Sequence, residues 1–462
     1  MAKESTSGIG YQIRRIVGRG RRYLEKNGFK ATVRRFFVRE KKKLIYKKYL
    51  LKVTPNHFDL ERMREEQNRY MTKFSIIIPV YRTNPKLLQD LIDSIQSQTY
   101  RNFEVCFADA SGRGSETERI ITSAKSCDPR IKYKLLDANL GISSNTNEAI
   151  IMSSGDFLVF CDHDDVLRSD ALYQFAKAIK ENPSCEVIYS DQDKVDSIGH
   201  NFYDPFIKPD YDPYLLESTN YICHMLAIKR ELVQKIGPLR QELDGSQDYD
   251  YTLRACEMAK QVVHVPEILY RWRISGDSTA DESDQKLYAY EAGKKALEKH
   301  FKRTKMYSGV SMREGMYGVY HTSHVILPGE KDRIGRDYIL FQDAGLEIAN
   351  PDYKDELLGY LLRPEVGIVG GVPAWSYGDS PKGMDMVNVG TFYLSVCPHS
   401  ARRVGSGLFM TKKELWDGFS KEAPDKVVMS TELCNAFCEY VLKQGNTIVY
   451  NPYVMPAKPV EI

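Results

Sequence analysis

From Phe74 onward the chain alternates short, nearly continuous apolar runs with segments of helical periodicity, and this alternation constrains the fold more than any other feature. "FSIIIPVY" from Phe74, "FEVCFADAS" from Phe103, "IKYKLLDA" from Ile131, "DFLVFCD" from Asp156 and "CEVIYSD" from Cys185 each read as a buried strand. Strands covered on both faces are apolar throughout, which separates them from half-exposed ones. Between them the spacing predicts helices at 115–126, 143–153 and 169–182. After the first strand, Asn84-Pro85 supplies an N-cap and a first-turn proline, and Leu87, Leu88, Leu91, Ile92 and Ile95 line one helical face. The pattern predicts an α/β fold, a mostly parallel sheet with helices on both faces.

In open sheets of this kind ligands bind beyond the carboxyl ends of the strands. Asp109, Asp137, Asp162 and Asp191 all fall at such ends. The first strand-to-helix turn, "PVYRTNP", lacks a Gly-x-Gly-x-x-Gly, and no Gly-x-x-x-x-Gly-Lys-Ser/Thr occurs, which argues against a dinucleotide cofactor and an NTP-hydrolysing loop. The densest acidic stretch is "FCDHDDVLRSD", residues 160–170. Asp162 and Asp164 offer two hard oxygen ligands one residue apart, suited to Mg2+ or Mn2+ that keeps positions open for phosphate oxygens. On spacing alone, a solvated turn with an N-cap explains the same residues equally well. Downstream, "DGSQDYDYTLR" places Asp248 and Asp250 before a helix, where a carboxylate serves as a cap or as a general base.

With 462 residues the chain has room for two or three domains. Charge is unevenly spread: residues 1–52 hold seventeen Lys and Arg against three acids, and the remainder is net acidic. Residues 11–52 read as a basic, helical, amphipathic segment for which an anionic membrane surface, packing against the protein itself and nucleic acid are the three readings. No run of eighteen apolar residues and no secretion signal is present, so a cytoplasmic location is expected. Nine scattered cysteines without a C-x-x-C fit reduced thiols. Residues 305–335, Gly-rich, read as a linker or irregular bridge, after which "DYILFQDAGLEI", "YKDELLGYLL" and "EVGIVGGVPAW" begin a second, smaller α/β series.

Taken together, "FSIIIPVY", "FADAS", "NLGISSNTNEA", "DFLVFCDHDD", "YSDQDK", "GSQDYDYTLR" and "LYRWRISGDSTA", in that order over about residues 73–300, resemble family 2 inverting glycosyltransferases of the GT-A fold, of the type that builds bacterial surface polysaccharides. The resemblance implies three parts: a basic helical N-terminal segment over 1–70, a GT-A, Rossmann-like catalytic domain over 71–304 and a smaller α/β domain over 305–462. It implies that Pro79, Tyr81 and Asp109 meet the nucleoside and that Asn139, Gly141 and Asn147 lie beside the nucleotide. Asp162 and Asp164 match the metal and diphosphate motif, Asp248 the catalytic base, and Arg271, Trp272 and Arg273 a segment near the diphosphate and acceptor. Some relatives carry a His that completes the metal shell, and Arg271 stands in its place here. The C-terminal part resembles the later half of the same pattern, as a degenerate copy: Asp343 is followed by Ala344 and Gly345, and Ser430 falls where a base is expected.

The resulting expectation is a Mn2+- or Mg2+-dependent glycosyltransferase. It moves a sugar from a UDP- or dTDP-sugar to a lipid-linked or polymeric glycan, and sits peripherally on the inner face of the cell membrane through its basic arm, with an oligomer left open. The alternatives are a sugar nucleotidyltransferase, against which the absence of a Gly-rich triphosphate loop speaks, and a non-catalytic nucleotide-sugar or glycan-binding scaffold.

Overall fold

The structure is a computed structural model, and it describes residues 28–30, 33–34, 37–38, 40–196, 198–199, 201–274, 287–306, 308–371, 393–394, 396–422 and 429–454. Of the helix expected over residues 11–52, residues 11–27 lie outside the described residues. Helices α1 (residues 40–53) and α2 (His57–Glu66) lead into β1 (Phe74–Val80), α3 (Pro85–Gln96), β2 (Phe103–Asp109), α4 (Glu116–Cys127), β3 (Ile131–Leu135), α5 (Ile142–Met152) and β4 (Phe157–Phe160). Next come β5 (Val166–Leu167), α6 (Ala171–Glu181), β6 (Val187–Val195), β7 (Phe202–Phe206), α7 (Pro213–Leu216), β8 (Leu226–Lys229), α8 (Arg230–Ile236), α9 (Gln247–Met258) and β9 (Val262–Arg273).

These strands form one nine-stranded sheet in the order β3-β2-β1-β4-β8-β6-β9-β5, with β7 on the side of β6. The pairs among β3, β2, β1 and β4 are parallel, as is β6 with β9, while β8 runs antiparallel between β4 and β6. The α/β reading with a mostly parallel sheet is borne out, with β8, β5 and β7 as the antiparallel members. β1 and β2 are buried almost along their whole length, as their unbroken apolar sequences require. The cap expected for α3 is present: the Asn84 side chain accepts from the Lys86 N–H and Pro85 opens the helix.

α1 packs one face on this sheet. Tyr46 and Ile268 are buried together, with Ile45, Tyr49, Leu50, Phe202 and Ile207 around them, and the Tyr46 hydroxyl donates to Asp193 Oδ2 at 2.6 Å. The opposite face is polar and basic: Lys41, Lys42, Lys43, Lys47, Lys48 and Lys52 are all exposed.

Past α10 (Leu287–Arg303), the stretch expected to be irregular contains an antiparallel hairpin, β10 (Ser308–Met312) with β11 (Tyr320–His324). Its turn uses Gly315 and Gly318 at φ 72° and 76°, a backbone region glycine enters without penalty. The Gly-rich composition that suggested a linker is what this turn requires.

The remaining elements are β12 (Tyr338–Gln342), α11 (Tyr353–Leu361), β13 (Val366–Gly370), β14 (His399–Ala401), β15 (Leu408–Lys412), α12 (Lys413–Glu422), α13 (Thr431–Lys443) and β16 (Thr447–Tyr450). They build a second sheet in the order β12-β15-β13-β16-β14. β12 is antiparallel to β15, β15 to β13, and β13 is parallel to β16. The run β4-β8-β6-β9 has the same order and the same orientations. In both, a helix follows the antiparallel strand without a gap (α8 after β8, α12 after β15) and another precedes the last strand (α9 and α13). Aligned on this match, one residue of the expected degenerate copy shifts. Ser246 and Ser430 are the equivalent N-caps, so Glu432, at the second helical position, takes the place of Asp248, and Ser430 that of Ser246.

The two sheets are tied by a buried ion pair. Glu217 accepts from Arg363 Nη1 at 3.1 Å and from Nη2, and His300 Nε2 lies 3.3 Å from the same carboxylate. Burial alone would raise the Glu217 pKa, but Arg363 and His300 override it and hold it at about 2. A carboxyl group depressed in this way adds stability above its unfolded pKa and loses it as pH falls toward the folded one. Here that contribution is about 3 kcal/mol at neutral pH, lost between about pH 5 and pH 2. Glu217→Gln should lower the unfolding free energy at pH 7 by about 3 kcal/mol and flatten its dependence on pH below 5, measured by urea titration across that range.

Candidate functional site

Beyond the carboxyl ends of β1, β4 and β6 lies a cavity of ≈ 700 Å3, lined among others by Pro79, Asp162, Gln192, His224, Asp248 and Trp272. The acidic turn after β4 is its most constrained part. β4 ends at Phe160, and the chain must then place Asp162, Asp164 and Asp165 close together, where like charges repel. The third of these carboxylates is stitched to β9. Asp165 accepts the Tyr270 hydroxyl at 2.5 Å and the Arg273 backbone N–H at 2.6 Å, Arg273 Nε donates to the Asp164 carbonyl at 2.8 Å, and the Asp162 N–H donates to the Tyr270 oxygen at 3.1 Å. Burial, and then the charges of Asp162 and Asp164, push Asp165 well above the usual carboxylate range. The turn then continues into β5, paired with β9 through Val166 and Arg271.

Asp162 is the one of the three whose pKa is lowered, whereas burial raises that of Asp164. The Asp162 side chain keeps 40% of its surface open to the cavity, and His224 Nε2 lies 3.4 Å from Oδ2. Burial opposes its ionisation, but His224 and His163 outweigh that and lower its pKa. Reciprocally, burial would lower the His224 pKa, while Asp162, joined by Asp165 and Asp248, raises it to about 9. The imidazole stacks on the Tyr270 ring with centroids 4.9 Å apart. Its loop is held from behind by the buried Lys208, whose Nζ donates to the carbonyls of Ser190 at 2.7 Å, Ile222 at 2.5 Å and His224.

Asp248, also on the cavity wall, sits in the first turn of α9. Asn220 Nδ2 donates to its Oδ2 at 2.9 Å and is itself fixed through Oδ1 by the Cys223 N–H at 3.4 Å. Burial raises the Asp248 pKa, with His224 opposing.

The donor set fits a hard divalent cation. Asp162 and Asp164 supply carboxylate oxygens on one turn, and among the described residues no three His, Cys, Asp or Glu side chains form a closed cage. That set suits a metal bound by one or two carboxylates, with phosphate oxygens and water completing the shell.

Several expected residues stand elsewhere. Arg271 does not face the metal turn: its guanidinium stacks on Phe202, 3.4 Å from the ring centroid, on the side of Asp193 and α1. Side chains alternate along β9, so Tyr270 and Trp272 take the cavity face and Arg271 and Arg273 the other. Arg273 is 1% exposed and bound to Asp90 at 3.0 Å as well as to the turn, so it braces the turn from behind instead of meeting a diphosphate.

Asn147 binds the backbone of Leu239 with both polar atoms, at 3.0 and 2.9 Å, and so holds that loop in place. Gly141, at φ 96°, opens α5, and a side chain there would strike the Asp244 carboxylate, which also accepts from the Ser143 N–H at 3.3 Å. Asn139 accepts from Gly141 N–H and Asn145 Nδ2 at 3.2 and 2.9 Å. This segment reaches the cavity through Ile142 and Thr146 instead. Asp109 is fully buried, taking the Ser111 N–H at 2.8 Å and the Tyr133 hydroxyl at 3.1 Å. Asp191 accepts from the Lys208 N–H and meets His264 Nε2, both at 2.9 Å, so its neighbour Gln192 lines the cavity. Pro79 is on the wall, and Tyr81 is 39% exposed.

His224, Asn220 and Lys208 were not expected from the sequence. The one available signal was "NYICHMLAIKR", a His placed directly before the apolar run that becomes β8.

Comparison with known proteins follows the same stretch of chain. Residues 75–237 match the family described as Glycosyl transferase family 2. An uncharacterized protein of Sinorhizobium fredii is 37% identical over 246 residues, 53% of this chain and 27% of that one. The O-antigen biosynthesis protein RfbC of Myxococcus xanthus is 31% identical over 229 residues, 50% of this chain and 18% of its own length. The GalNAc(5)-diNAcBac-PP-undecaprenol beta-1,3-glucosyltransferase of Campylobacter jejuni is 35% identical over 104 residues, 22% of this chain and 33% of the enzyme. The matched stretch thus spans less than a third of the first two relatives. Among solved structures, TarS 1-349 of S. aureus in complex with UDP aligns over 50% of this chain and 72% of that one, at 20% identity and a TM-score of 0.38.

Asn147→Ala should cost about 2 kcal/mol of stability, because two hydrogen bonds to a partly buried backbone are lost together. Urea unfolding measures that loss, and calorimetry should find nucleotide affinity changed less than twofold.

Proposed function

We propose that the segment matching Glycosyl transferase family 2 belongs to an enzyme whose cavity transfers a sugar from a UDP- or dTDP-sugar to a hydroxyl of a lipid-linked or polymeric glycan, with inversion at the anomeric carbon. The observation that carries the reading is that Asp162, with a lowered pKa, and Asp248, with a raised one, line the same cavity. Two carboxylates whose environments separate their pKa values divide the labour of a displacement reaction. Pro79 and the exposed Tyr81 offer surface to the nucleoside. Asp162 and Asp164 would hold Mg2+ or Mn2+, which when bound neutralises charge on the departing diphosphate. Asp248 takes the proton from the acceptor hydroxyl as that oxygen attacks the anomeric carbon, and Asn220 keeps the carboxylate aimed by binding its other oxygen. The printed name of the Campylobacter jejuni relative, with its undecaprenol-linked acceptor, supports a lipid-linked glycan, and that of RfbC supports polysaccharide synthesis.

Asp248→Asn should leave donor affinity within about twofold while slowing transfer at least about a hundredfold, the span typical for loss of a general base. Asp162→Ala should lose metal-dependent donor binding. Because burial raises the Asp248 pKa, kcat/KM should fall on acidification at a higher pH than for an ordinary carboxylate, following protonation of the base. Equal loss of binding and transfer in Asp248→Asn would make that residue structural.

The outer face of α1 supports a peripheral position on an anionic membrane. No helix among the described residues is long and apolar enough to cross a bilayer. The six exposed lysines of this helix flank Leu44 and Leu51, 56% and 76% exposed and one heptad apart, a composition suited to anionic headgroups over an apolar boundary. Lys47→Gln with Lys48→Gln should weaken binding to vesicles containing phosphatidylglycerol by about tenfold or more in sedimentation. Deleting α1 is the poorer test, since Tyr46 belongs to the core.

A further inference from the structure

The part of the cavity wall nearest the start of α9 does not come from the matched family segment. It is built from the first turn of α10 and the β10–β11 hairpin, which contribute Tyr288, Tyr290 and Tyr317. Tyr290 and Tyr317 stack with centroids 5.1 Å apart and planes 21° apart. Tyr288 and Tyr317 are 60% and 50% exposed. Large side chains that pack a core are covered, as the neighbouring Tyr249 and Tyr320 are at 2% and 3%. Uncovered aromatic rings grouped in a cavity are a binding surface.

The group is fixed relative to Asp248. Ser246, two residues before the carboxylate, donates its hydroxyl to the Ala289 carbonyl at 2.7 Å, between Tyr288 and Tyr290. A side chain at Gly245 would strike the Tyr288 ring. Below the pair, the Tyr320 hydroxyl donates to the Tyr290 carbonyl at 2.9 Å, and Tyr320 stacks on Tyr249 at 6.2 Å. The rings are thus held on a packed base beside the carboxylate that would receive the acceptor's proton.

We propose that Tyr288, Tyr290 and Tyr317 form a stacking platform for the sugar rings of the acceptor glycan. The inference rests on the transferase reading, in which the group deprotonated by Asp248 belongs to the acceptor. A pyranose presents a flat C–H face and a rim of hydroxyls. A tyrosine matches both, with an apolar ring and a polar tip that lose little freedom on binding. No charged side chain is needed for that recognition, so the platform takes a neutral glycan chain. The nucleotide diphosphate belongs with Asp162.

The test uses the full chain and saturation-transfer NMR with defined oligosaccharides: rhamnose, glucose, galactose and N-acetylglucosamine disaccharides as methyl glycosides. UDP and dTDP affinities are measured in parallel by calorimetry with Mn2+. The expected result is saturable binding of at least one saccharide, weakened about tenfold or more in Tyr288→Ala/Tyr317→Ala. Tyr288→Phe/Tyr317→Phe should retain binding, and nucleotide affinity should stay within twofold in both variants. Two outcomes overturn the platform: nucleotide binding with no saccharide binding, or saccharide binding equal in wild type and the alanine variant. If neither nucleotide nor saccharide binds, the transferase reading falls with it.

Discussion

Everything in the site depends on closing a tight turn that carries three carboxylates. The solution is a fastening across the sheet, in which the buried Asp165 carboxyl receives the Tyr270 hydroxyl and the Arg273 N–H while Arg273 Nε grips the Asp164 carbonyl. Burying a carboxyl without partners is expensive, and with its two protein donors and its raised pKa Asp165 becomes an anchor. The consequences run outward. β5 is registered on β9, Tyr270 offers its ring to His224, and Asp162, its pKa lowered, faces the cavity. Arg273, a buried guanidinium with Asp90 behind it, serves the same fastening.

The parallel half of the sheet was legible because each strand announces itself as an apolar run and each helix by its cap and periodicity. β1, β2, α3 and α4 lie within a residue or two of where their sequences put them. The rest depended on pairings that a single sequence does not carry. Which of Arg271, Trp272 and Arg273 faces the cavity is a matter of strand parity, and parity follows from register with β6 and β5. The expected metal-side position of Arg271 fails for that reason, and His224 enters from the far side of β8, more than forty residues away in sequence. Asn147 and Gly141 look like nucleotide neighbours until the loop carrying Leu239 and Asp244 is seen to fill their space. Position in a motif identified the right segment, and tertiary contacts decided what each side chain in it does.

The second sheet repeats the β4-β8-β6-β9 arrangement without its acidic turn. After β12 the chain runs Asp343-Ala344-Gly345, with nothing to hold a cation beside Asp343 and no need for an Asp165-like anchor. Such a module can keep its core, which depends on apolar strands, while losing chemistry that depends on a few loop residues. Its buried pairing through Arg363 to Glu217 fixes it against the first sheet, and the hairpin between the sheets contributes Tyr317 to the cavity wall. The aromatic wall beside Asp248 is a product of that junction.

The most direct measurement is release of nucleoside diphosphate from a panel of UDP-, dTDP- and GDP-sugars, with and without Mn2+, in the presence of bacterial polyprenyl-linked glycan. The account predicts metal-dependent release of UDP or dTDP from one donor, coupled in equal amount to a glycosylated acceptor. Release of pyrophosphate from a nucleoside triphosphate and a sugar phosphate, with no release from any nucleotide sugar, would contradict it.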